Sequence, residues 1–420
     1  MNKFNISKKY YVLGLLKKIA KYFIYIFLFP LVCVIFILKP IKKIKFCKIP
    51  TNFGHLTSAL EIIIDARKKM PDFKNTLVIF FFDKKVSNNQ LKIMGSRWFY
   101  INPPSKFLNY LRETIIFLGK KKDHVIDMRF YHMHNILKKY PEWLSDKKNN
   151  LYFSEDEKKR GRQLLEKLGI SPSDKWICIH NRDSSYLDVA LPKQGSPKYQ
   201  NNWHYHNYRD FSINSMKSAS DFFANNGYYV LRMGSVVKEK FETGNKKIID
   251  YANSVHRNDF ADVYLLANCK AYFGSDSGIG TLSFFFKKPC FHINFSSTLI
   301  HLLTAYAPWS FIFKRIKNIE NGKLLTLKEI LNSKFAYSAS SEDFIKNNVK
   351  PLDNSQEEIK SLATEIENTL KGKKVDNEED KKIQNEFWKI YYKYVDKRLI
   401  GSITPRISPS FLRKNLDLLN

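Results

Sequence analysis

The sequence lacks a recognisable set of metal ligands. Its five cysteines show no CxxC spacing and no paired pattern. Two His-x-His motifs, His132 with His134 and His204 with His206, come nearest to a metal-binding group, but neither has a thiol or carboxylate ligand set beside it. Zinc sites need about three or four such ligands. We therefore expect no metal, and we expect the cysteines to be small residues in a reducing compartment, most of them buried.

Acidic residues are scarce relative to basic ones. The chain has 70 lysines and arginines against 40 aspartates and glutamates, for a formal net charge of +30. Such an excess attracts anionic partners, including membrane lipids, nucleic acids and phosphorylated substrates. A bias toward lysine along the whole chain explains the charge equally well, because the lysines are spread rather than clustered. No nucleic-acid-binding module accompanies them, so a nucleic-acid partner is not expected.

Internal repeats and low-complexity tracts are absent as well. The chain has 420 residues, which is enough for two domains of ordinary size. Hydrophobic residues make up 44% of the sequence and aromatic residues 15%, a composition of filled cores rather than of disorder. A folded chain with more than one domain is therefore predicted.

Residues 1–45 form a segment of their own, with a membrane-associated character. Residues 22–38 are uncharged and strongly apolar, lysines flank them on both sides, and Pro30 lies between. No small-residue cleavage site follows, which disfavours a cleavable signal peptide. A single span, a Pro30-kinked helix within one leaflet and a buried core helix all remain compatible with this pattern.

The helix within one leaflet is the interpretation we favour for residues 22–38. It keeps both lysine-rich ends against anionic lipid, whereas a span would carry one of them across the bilayer. The segment is then predicted to anchor the chain at the cytoplasmic face of the cell membrane.

Residues 46–150 show the pattern of a first α/β domain. A helix is predicted at residues 57–70. A strand is predicted at residues 76–82, where a continuous apolar run is typical of burial on both faces. Shorter strands are predicted at residues 97–101 and 124–128.

Residues 151–172 are predicted to form a linker helix, because Ser154 and Glu157 make a capping box. A second α/β domain is predicted at residues 173–320. Its predicted strands are residues 176–180, 228–232, 271–274 and 290–294, and its helices include 211–225 and 258–268. Alternating strands and helices predict a parallel sheet with right-handed crossovers. Residues 321–420 are predicted to be helical.

A loop rich in glycine and serine follows the predicted strand at residues 271–274. It spans residues 275–280 and opens onto a predicted helix at residues 281–286. Backbone N–H groups at a helix N-terminus, aided by the helix dipole and by serine hydroxyls, bind anions such as phosphate. Asp276 has a second explanation, because aspartates in turns bond the N–H groups of their own loop.

Polar residues also stand where the other predicted strands end, and ligands of doubly wound sheets bind beyond those ends. The residues are His180, Arg182, Asp183 and Tyr186 after one strand, and Arg232 and Gly234 after the next. Arginine offers a fork of donors that matches phosphate oxygens. Arg182 and Arg232 are therefore predicted to hold a diphosphate, the alternative for each being a structural ion pair.

Other residues are candidates for binding or activating the acceptor of a group transfer, the molecule whose hydroxyl would receive the group. His55 follows Gly54 where the initial strand of the first domain meets its helix, which suits a base that deprotonates an acceptor hydroxyl. Asp183 is the alternative base. Tyr208 and Arg209 lie in a loop rich in Asn, His and Tyr, a composition similar to that of sugar-binding surfaces.

Five short motifs lie in the second predicted domain. They are HNRDSSYL at 180–187, HNYRDF at 206–211, LRMGS at 231–235, DYANS at 250–254, and RNDF-x-D-x-x-L-x-x-x-C with GSDSG at 257–278. Together they resemble a family of bacterial glycosyltransferases that is distantly related to heptosyltransferases and O-fucosyltransferases of the GT-B fold. The resemblance covers roughly residues 49–294. It implies an α/β fold of two Rossmann-like domains facing across a cleft, with a nucleotide-activated sugar bound mainly in the second domain.

The resemblance also implies roles for single residues. His180-x-Arg182 is similar to the fucosyltransferase signature whose arginine contacts the donor diphosphate, so Arg182 would stabilise the leaving group. The heptosyltransferase Asp-Thr/Ser-Gly motif is similar to Asp276-Ser277-Gly278, which implies phosphate contacts from Ser277 and Gly278. One departure leaves the sugar open: the acidic residue follows the arginine at once, whereas the fucosyltransferase pattern places it further on.

The combined hypothesis is a metal-independent, inverting glycosyltransferase without a cofactor. It would move a sugar from a nucleotide-activated donor to a cell-surface glycan or lipid-linked acceptor at the inner membrane surface. The predicted catalytic residues are Arg182, His55 and Asp183. The predicted donor-binding residues are His180, Arg232, Gly234, Ser275, Asp276, Ser277 and Gly278. The predicted acceptor-side residues are Gly54, Tyr186, Tyr208 and Arg209. The alternative is a non-catalytic, membrane-attached binding or assembly protein of the same fold, and a nucleic-acid binder is more distant.

Overall fold

The chain divides into two compact units, residues 1–136 and 137–420. The computed structural model describes residues 3–69, 76–128, 149–191, 202–295, 309–337, 340–373, 376–395 and 405–420. Each unit contains a parallel sheet and helices, so the α/β class predicted from the sequence is confirmed. The predicted domain boundaries and the predicted cleft stay predictions.

The first unit is built on a four-stranded parallel sheet. Its strands are β1 Lys43–Lys48, β2 Thr76–Phe81, β3 Ile101–Asn102 and β4 Val125–Ile126, in the order β3-β2-β1-β4. All three strand pairs are parallel. The strands after β1 are added first on one side of it and then on the other, which is the doubly wound pattern.

Two of the five helices of the first unit begin at a side-chain cap, Asn88 in one and Ser105 in the other. The five helices are α1 Lys3–Ile37, α2 Phe53–Lys69, α3 Asn89–Ser96, α4 Lys106–Phe117 and α5 Lys121–His124. The side chain of Asn88 accepts from the Leu91 N–H at 3.0 Å, and that cap starts α3. The strand predicted at residues 97–101 is therefore displaced: Arg97 caps the end of α3, and only Ile101 belongs to β3.

Helix α1 contributes one face to the core of the first unit. Its Leu28, Val32 and Ile35 are buried against residues of the sheet and of α4. Within the described residues, Lys18–Ile37 is long and apolar enough to cross a membrane, by length and composition only. The apolar segment predicted at residues 22–38 is thus the C-terminal half of a longer helix, which continues through Pro30.

The second unit is built on a larger sheet. The strands of this unit are β5 Lys175–His180, β6 Tyr228–Arg232, β7 Ile248–Ile249, β8 Ala271–Gly274, β9 Cys290–Phe295, β10 Ser310–Phe313, β11 Arg315–Asn318, β12 Val349–Leu352 and β13 Arg406–Ile407. Seven of them form a parallel sheet in the order β13-β10-β9-β8-β5-β6-β7, while β11 and β12 pair antiparallel. The predicted parallel sheet is confirmed, and the four strands predicted for it are all present.

Helices cover the sheet of the second unit. They are α6 Glu155–Lys167, α7 Ser185–Ala190, α8 Lys217–Asn225, α9 Asp259–Asn268, α10 Gly278–Phe285, α11 Leu327–Asn332, α12 Ser341–Lys346, α13 Gln356–Leu370, α14 Glu378–Tyr394 and α15 Pro409–Lys414. The predicted capping box of Ser154 with Glu157 starts α6. The helix predicted at residues 211–225 is shorter, because a 3-10 turn at Ile213–Met216 precedes α8.

The C-terminal region is less purely helical than predicted. Strand β12 lies within it, and β13 joins the edge of the large sheet beside β10. Arg406 in β13 forms ion pairs with Glu365 and Asp376, and Phe411 just beyond is buried in the core. The tail of the chain is therefore part of the second unit's core and not an appendage.

Strand order places β5 and β8 side by side at the centre of the large sheet. The chain moves outward from β5 through β6 to β7, then returns to β8 and moves outward in the other direction. Such a reversal opens a crevice at the carboxyl ends of the two central strands. His180 pairs with Gly274 there, and the Ser275 N–H donates to the His180 carbonyl at 3.0 Å.

Gly274 is predicted to be irreplaceable at this junction. A Cβ there would lie 2.1 Å from the His180 backbone oxygen, and backbone yields little. We expect Gly274→Ala to lower the free energy of unfolding in urea by about 2 kcal/mol or more. Gly244→Ala is the control, since a Cβ there meets nothing within 4 Å. Equal losses in the two variants would contradict the close approach of β5 to β8.

Candidate functional site

Arg182 follows β5, and only one of its two terminal guanidinium nitrogens has hydrogen-bond partners among the described residues. It is 8% exposed. Its Nη1 donates to the His206 carbonyl at 3.1 Å and to the carboxylate of Asp210. Its Nη2 is buried and has no hydrogen-bond partner among the described residues. Burial, followed by the nearby charge of Arg209, lowers the pKa of Arg182 to about 10, so the side chain stays cationic at neutral pH.

The loop after β8 presents a helix N-terminus at the same edge of the sheet. The Tyr272 hydroxyl donates to the Ser275 carbonyl at 2.8 Å and lies 3.4 Å from the Ser277 hydroxyl. Ser277 is extended, with φ −127° and ψ 169°, and its side chain does not cap α10. The first-turn N–H groups of α10 are therefore not satisfied by that side chain, which is the usual setting for an anion.

Arg209 joins the two strand ends. It ends a 3-10 helix at His204–Arg209, and its Nη2 donates to the Asp276 carbonyl and lies 3.4 Å from the Asp276 carboxylate. The charges of Arg209 and Asp276 both act on Arg182. Arg209 was predicted on the acceptor side, but it lies against the loop predicted to bind the donor. Asp276 meets this arginine and not only its own loop.

Lys314 is a residue that the sequence analysis missed. It follows β10, and its Nζ donates to the Asp210 carbonyl and to the Asp353 carboxylate, both at 2.7 Å. Burial lowers its pKa, and its charge interacts with Asp276 and Arg182. The sequence contained a signal for it, because the apolar run at 311–313 followed by Lys314 and Arg315 is the pattern of a buried strand with polar residues at its end. We call Arg182, Arg209, Asp210, Asp276 and Lys314 the strand-end cluster.

Two histidines beside this cluster are neutral. His180 Nδ1 lies 3.0 Å from the Met233 carbonyl, and since a carbonyl only accepts, that nitrogen carries the hydrogen. Burial lowers the pKa of His180 to about 4 and that of His206 to about 3, where Arg209 and Arg182 add to the effect. Neither ring adds positive charge to the cluster at neutral pH.

Arg232 does not fit its predicted donor-binding role. It is 0% exposed, and its guanidinium donates to Asp250 and Asn181, each at 3.3 Å. Asn181 in turn donates to the Phe211 carbonyl at 2.8 Å. Arg232 therefore takes part in a structural ion pair, which was the alternative explanation for it. Its contacts connect the loops that follow β5 and β6. The carbonyl of Gly234 accepts from Arg257 Nε at 3.2 Å.

Asp183 and the two tyrosines have mostly structural contacts. Both carboxylate oxygens of Asp183 accept backbone N–H groups, from Ser185 at 2.9 Å and from Lys238 at 3.1 Å. These two hydrogen bonds hold the Asp183 carboxylate against the backbone of its own loop and of the loop after β6. The Tyr208 ring lies 5.3 Å from that of Phe344. Tyr186 is half-buried, and burial raises its pKa.

Gly54 and His55 belong to the first unit. They lie in the first turn of α2, where the Gly54 carbonyl accepts from the Ser58 hydroxyl at 2.8 Å. Burial lowers the pKa of His55, so its ring is neutral and able to take a proton. Their acceptor-side role stays a prediction. Within the described residues no group of three or more His, Cys, Asp or Glu side chains is placed to hold a metal, and His132 and His134 lie outside those residues.

The two depressed histidines predict a pH dependence of stability. In the unfolded chain both titrate near their ordinary value of 6.5. Below that pH the unfolded state binds more protons than the native state, so stability falls as pH drops from 6.5 toward 4. We expect His180→Asn with His206→Asn to reduce that fall by on the order of 2 kcal/mol. Urea unfolding of the wild type and the variant at several pH values measures it.

The control for this measurement is His204→Asn, an exposed histidine in the same 3-10 helix as His206. Its unfolding free energy is expected to follow that of the wild type across the range. If the double variant also follows the wild type, the two rings are not held neutral by the fold.

Comparisons with known proteins find similarity in structure only. No protein-family model matches the chain, and no curated protein matches it. A family 9 glycosyl transferase from Veillonella parvula matches with 12% identity and TM-score 0.36, over 60% of this chain and 80% of that one. ADP-heptose LPS heptosyltransferase II from E. coli matches with 16% identity and TM-score 0.32, over 60% and 84%.

A third solved structure, E. coli heptosyltransferase WaaC with ADP-2-deoxy-2-fluoro heptose, matches with 10% identity and TM-score 0.26, over 59% of this chain and 88% of that one. The chain is thus distantly similar in structure to heptosyltransferases, as its motifs predicted. At these TM-scores the similarity assigns neither a reaction nor a substrate to this chain.

Proposed function

We propose that the second unit binds the diphosphate of a nucleotide-activated sugar and transfers the sugar, with inversion and without a metal, to a glycan or lipid-linked acceptor at a membrane surface. One observation carries the proposal. Arg209 bonds the turn that opens α10, and Arg182 from the end of β5 lies close enough for the charge of Asp276 in that turn to act on it, at the point where the strand order of the sheet reverses. This is where doubly wound sheets bind their ligands.

The donors at this point suit phosphate oxygens. Arg182 Nη2 and Arg209 Nε are buried and have no hydrogen-bond partner among the described residues. Buried donors without partners are uncommon in native proteins, and one of their explanations is a ligand. The first turn of α10 adds backbone N–H groups. Fixed positive charge at this point stabilises the charge that develops on a diphosphate leaving group.

The carboxylates of the strand-end cluster set its charge. Arg182 pairs with Asp210, Arg209 with Asp276, and Lys314 with Asp353 outside the cluster. The three cations and two carboxylates of the cluster leave one positive charge, and Asp353 outside the cluster pairs with it before any ligand binds. A diphosphate adds negative charge beside Asp276, so that carboxylate opposes binding while it holds Arg209 in position.

The acceptor base is assigned to His55 rather than to Asp183. Both oxygens of Asp183 are engaged by backbone N–H groups. Burial lowers the pKa of His55, so its imidazole is neutral at neutral pH and has one ring nitrogen that can accept a proton, as a general base requires.

A non-catalytic binding protein is the second candidate function. It is favoured by the ion pairs just described, because cations that are already paired with carboxylates stabilise a leaving group less than unpaired cations do. Turnover distinguishes the two functions. Release of free nucleoside diphosphate from a panel of nucleotide sugars, with a glycan or lipid-linked acceptor present, supports the transferase, whereas binding without release supports the alternative.

Opposite effects on nucleoside diphosphate affinity are predicted for two charge changes. We expect Arg209→Met to weaken binding about tenfold to a hundredfold, since it removes charge-assisted hydrogen bonds. We expect Asp276→Asn to tighten binding, since it removes an opposing negative charge. Calorimetric titration with a panel of nucleoside diphosphates measures both.

Arg162→Met is the matched control, because Arg162 is an exposed arginine of α6. Its affinity should equal that of the wild type. A further variant, Arg182→Lys, keeps the charge but loses the planar fork, and we expect it to weaken binding as well. Unchanged affinity in both Arg209→Met and Arg182→Lys would remove the site from the proposal.

A further inference from the structure

Helix α1 has two apolar faces, and the first unit uses only one of them. Leu28, Val32 and Ile35 recur at helical spacing and are buried in the core. The opposite face carries a second apolar stripe, which is exposed. It consists of Phe23, Ile26, Phe27, Leu31, Val34 and Ile37.

The exposed apolar stripe is expected to be buried against another molecule. Phe23, Ile26 and Phe27 are between 68% and 82% exposed. The stripe also continues onto α4, where the ring of Phe117, itself exposed, lies 5.8 Å from that of Tyr22. Soluble proteins rarely expose continuous apolar surface of this extent, and where they do it marks an interaction site.

Contacts at both ends of the stripe tie α1 to the first unit. Near its start, Lys21 pairs with Glu113 of α4 at 2.7 Å, and the Tyr25 hydroxyl donates to the same carboxylate at 3.3 Å. Just beyond its end, Lys39 pairs with Asp123 of α5 at 3.0 Å. If α1 crossed a bilayer, the sheet whose Phe46 and Phe81 pack along its core face would enter the hydrocarbon, where open sheet edges do not occur. The folded unit therefore does not use α1 as a span.

The lysines around the stripe indicate which kind of molecule binds it. Lys18 lies before it and Lys42 and Lys43 lie beyond it, next to Lys21 and Lys39, which are already paired with carboxylates. The two groups are about 30 Å apart along the helix. A second copy of the chain, packed against the stripe, would set lysines against lysines. Anionic lipid headgroups match both groups at once, and the hydrocarbon beneath them matches the stripe.

We propose that α1 lies in the plane of an anionic bilayer surface, with its exposed stripe in one leaflet and both of its ends on the same side. The core face of the helix stays packed on the first unit while the other face is in lipid. This surface is separate from the strand-end cluster, and the proposal about it does not depend on the transferase function.

Vesicle binding of the full chain tests the proposal. The probe is co-sedimentation with vesicles of phosphatidylcholine and phosphatidylglycerol, compared with phosphatidylcholine alone. We expect stronger binding to the anionic vesicles, reduced by salt. Ile26→Gln with Phe27→Gln should lower the partition coefficient at least about tenfold, since both side chains lose apolar contact with lipid.

The matched control changes two equally exposed apolar residues elsewhere. Val255 and Ile345 are 94% and 70% exposed and lie in the second unit. Val255→Gln with Ile345→Gln should bind vesicles like the wild type. Thermal unfolding of both double variants checks that they fold. Equal vesicle binding by the two double variants would overturn the proposal, as would a dimer that is lost in the α1 variant while the wild type ignores vesicles.

Labelling from one side separates a helix in the plane from a span. Lys18→Cys and Lys42→Cys are made singly in a Cys33→Ala background, and sealed inside-out membrane vesicles are treated with a membrane-impermeant maleimide. Both positions should react before the vesicles are opened. Protection of one position until the vesicles are opened means that α1 spans the membrane, and recovery of a chain that lacks residues 1–38 means that it is a removed signal. Either result overturns the proposal.

Discussion

The approach of β8 to β5 at Gly274 is the constraint on which the candidate site depends. With no side chain at that position, the backbone of β8 comes close enough for the Ser275 N–H to bond the His180 carbonyl. The chain then leaves β5 toward Arg182 and leaves β8 toward the N-terminus of α10 at the same edge of the sheet. An ordinary residue at 274 would part the two strand ends and separate the cation from the helix.

Burial decides which arginines can take part in chemistry. A buried cation needs a partner, and each of these arginines has a carboxylate within the second unit. Arg232 is closed off completely, so its pair with Asp250 serves only the fold. Arg209 keeps part of its surface and sits against a helix N-terminus. Arg232 and Arg182 both follow an apolar run in the sequence. The first forms a purely structural ion pair, whereas the second is a candidate ligand contact.

Local signals made part of this structure predictable. The strands β5, β6 and β8 follow from apolar runs, and the cap at Ser154 follows from a glutamate three residues away. What could not be predicted rests on contacts between distant residues. Arg182 meets Asp210 28 residues later, and Lys314 enters the cluster only because β10 joins the sheet. Strand β13 has two residues, too few for any pattern, and is held by pairing with β10.

The hydropathy of the sequence predicted an apolar helix at α1 but not the separate roles proposed for its two faces. A face that packs on a protein core and a face that contacts lipid have the same apolar composition, so hydropathy does not distinguish them. The distinction has a consequence for the first unit. Leu28, Val32 and Ile35 cover Phe46 and Phe81 of the sheet, and burial of such side chains is worth about 1.5–3 kcal/mol each. Removing the helix would therefore expose the core and not merely release an anchor. Folding of the first unit depends on the buried face of α1 and the proposed membrane attachment on the exposed face, so deletion of the whole helix would remove both, whereas substitutions on one face can change one without the other.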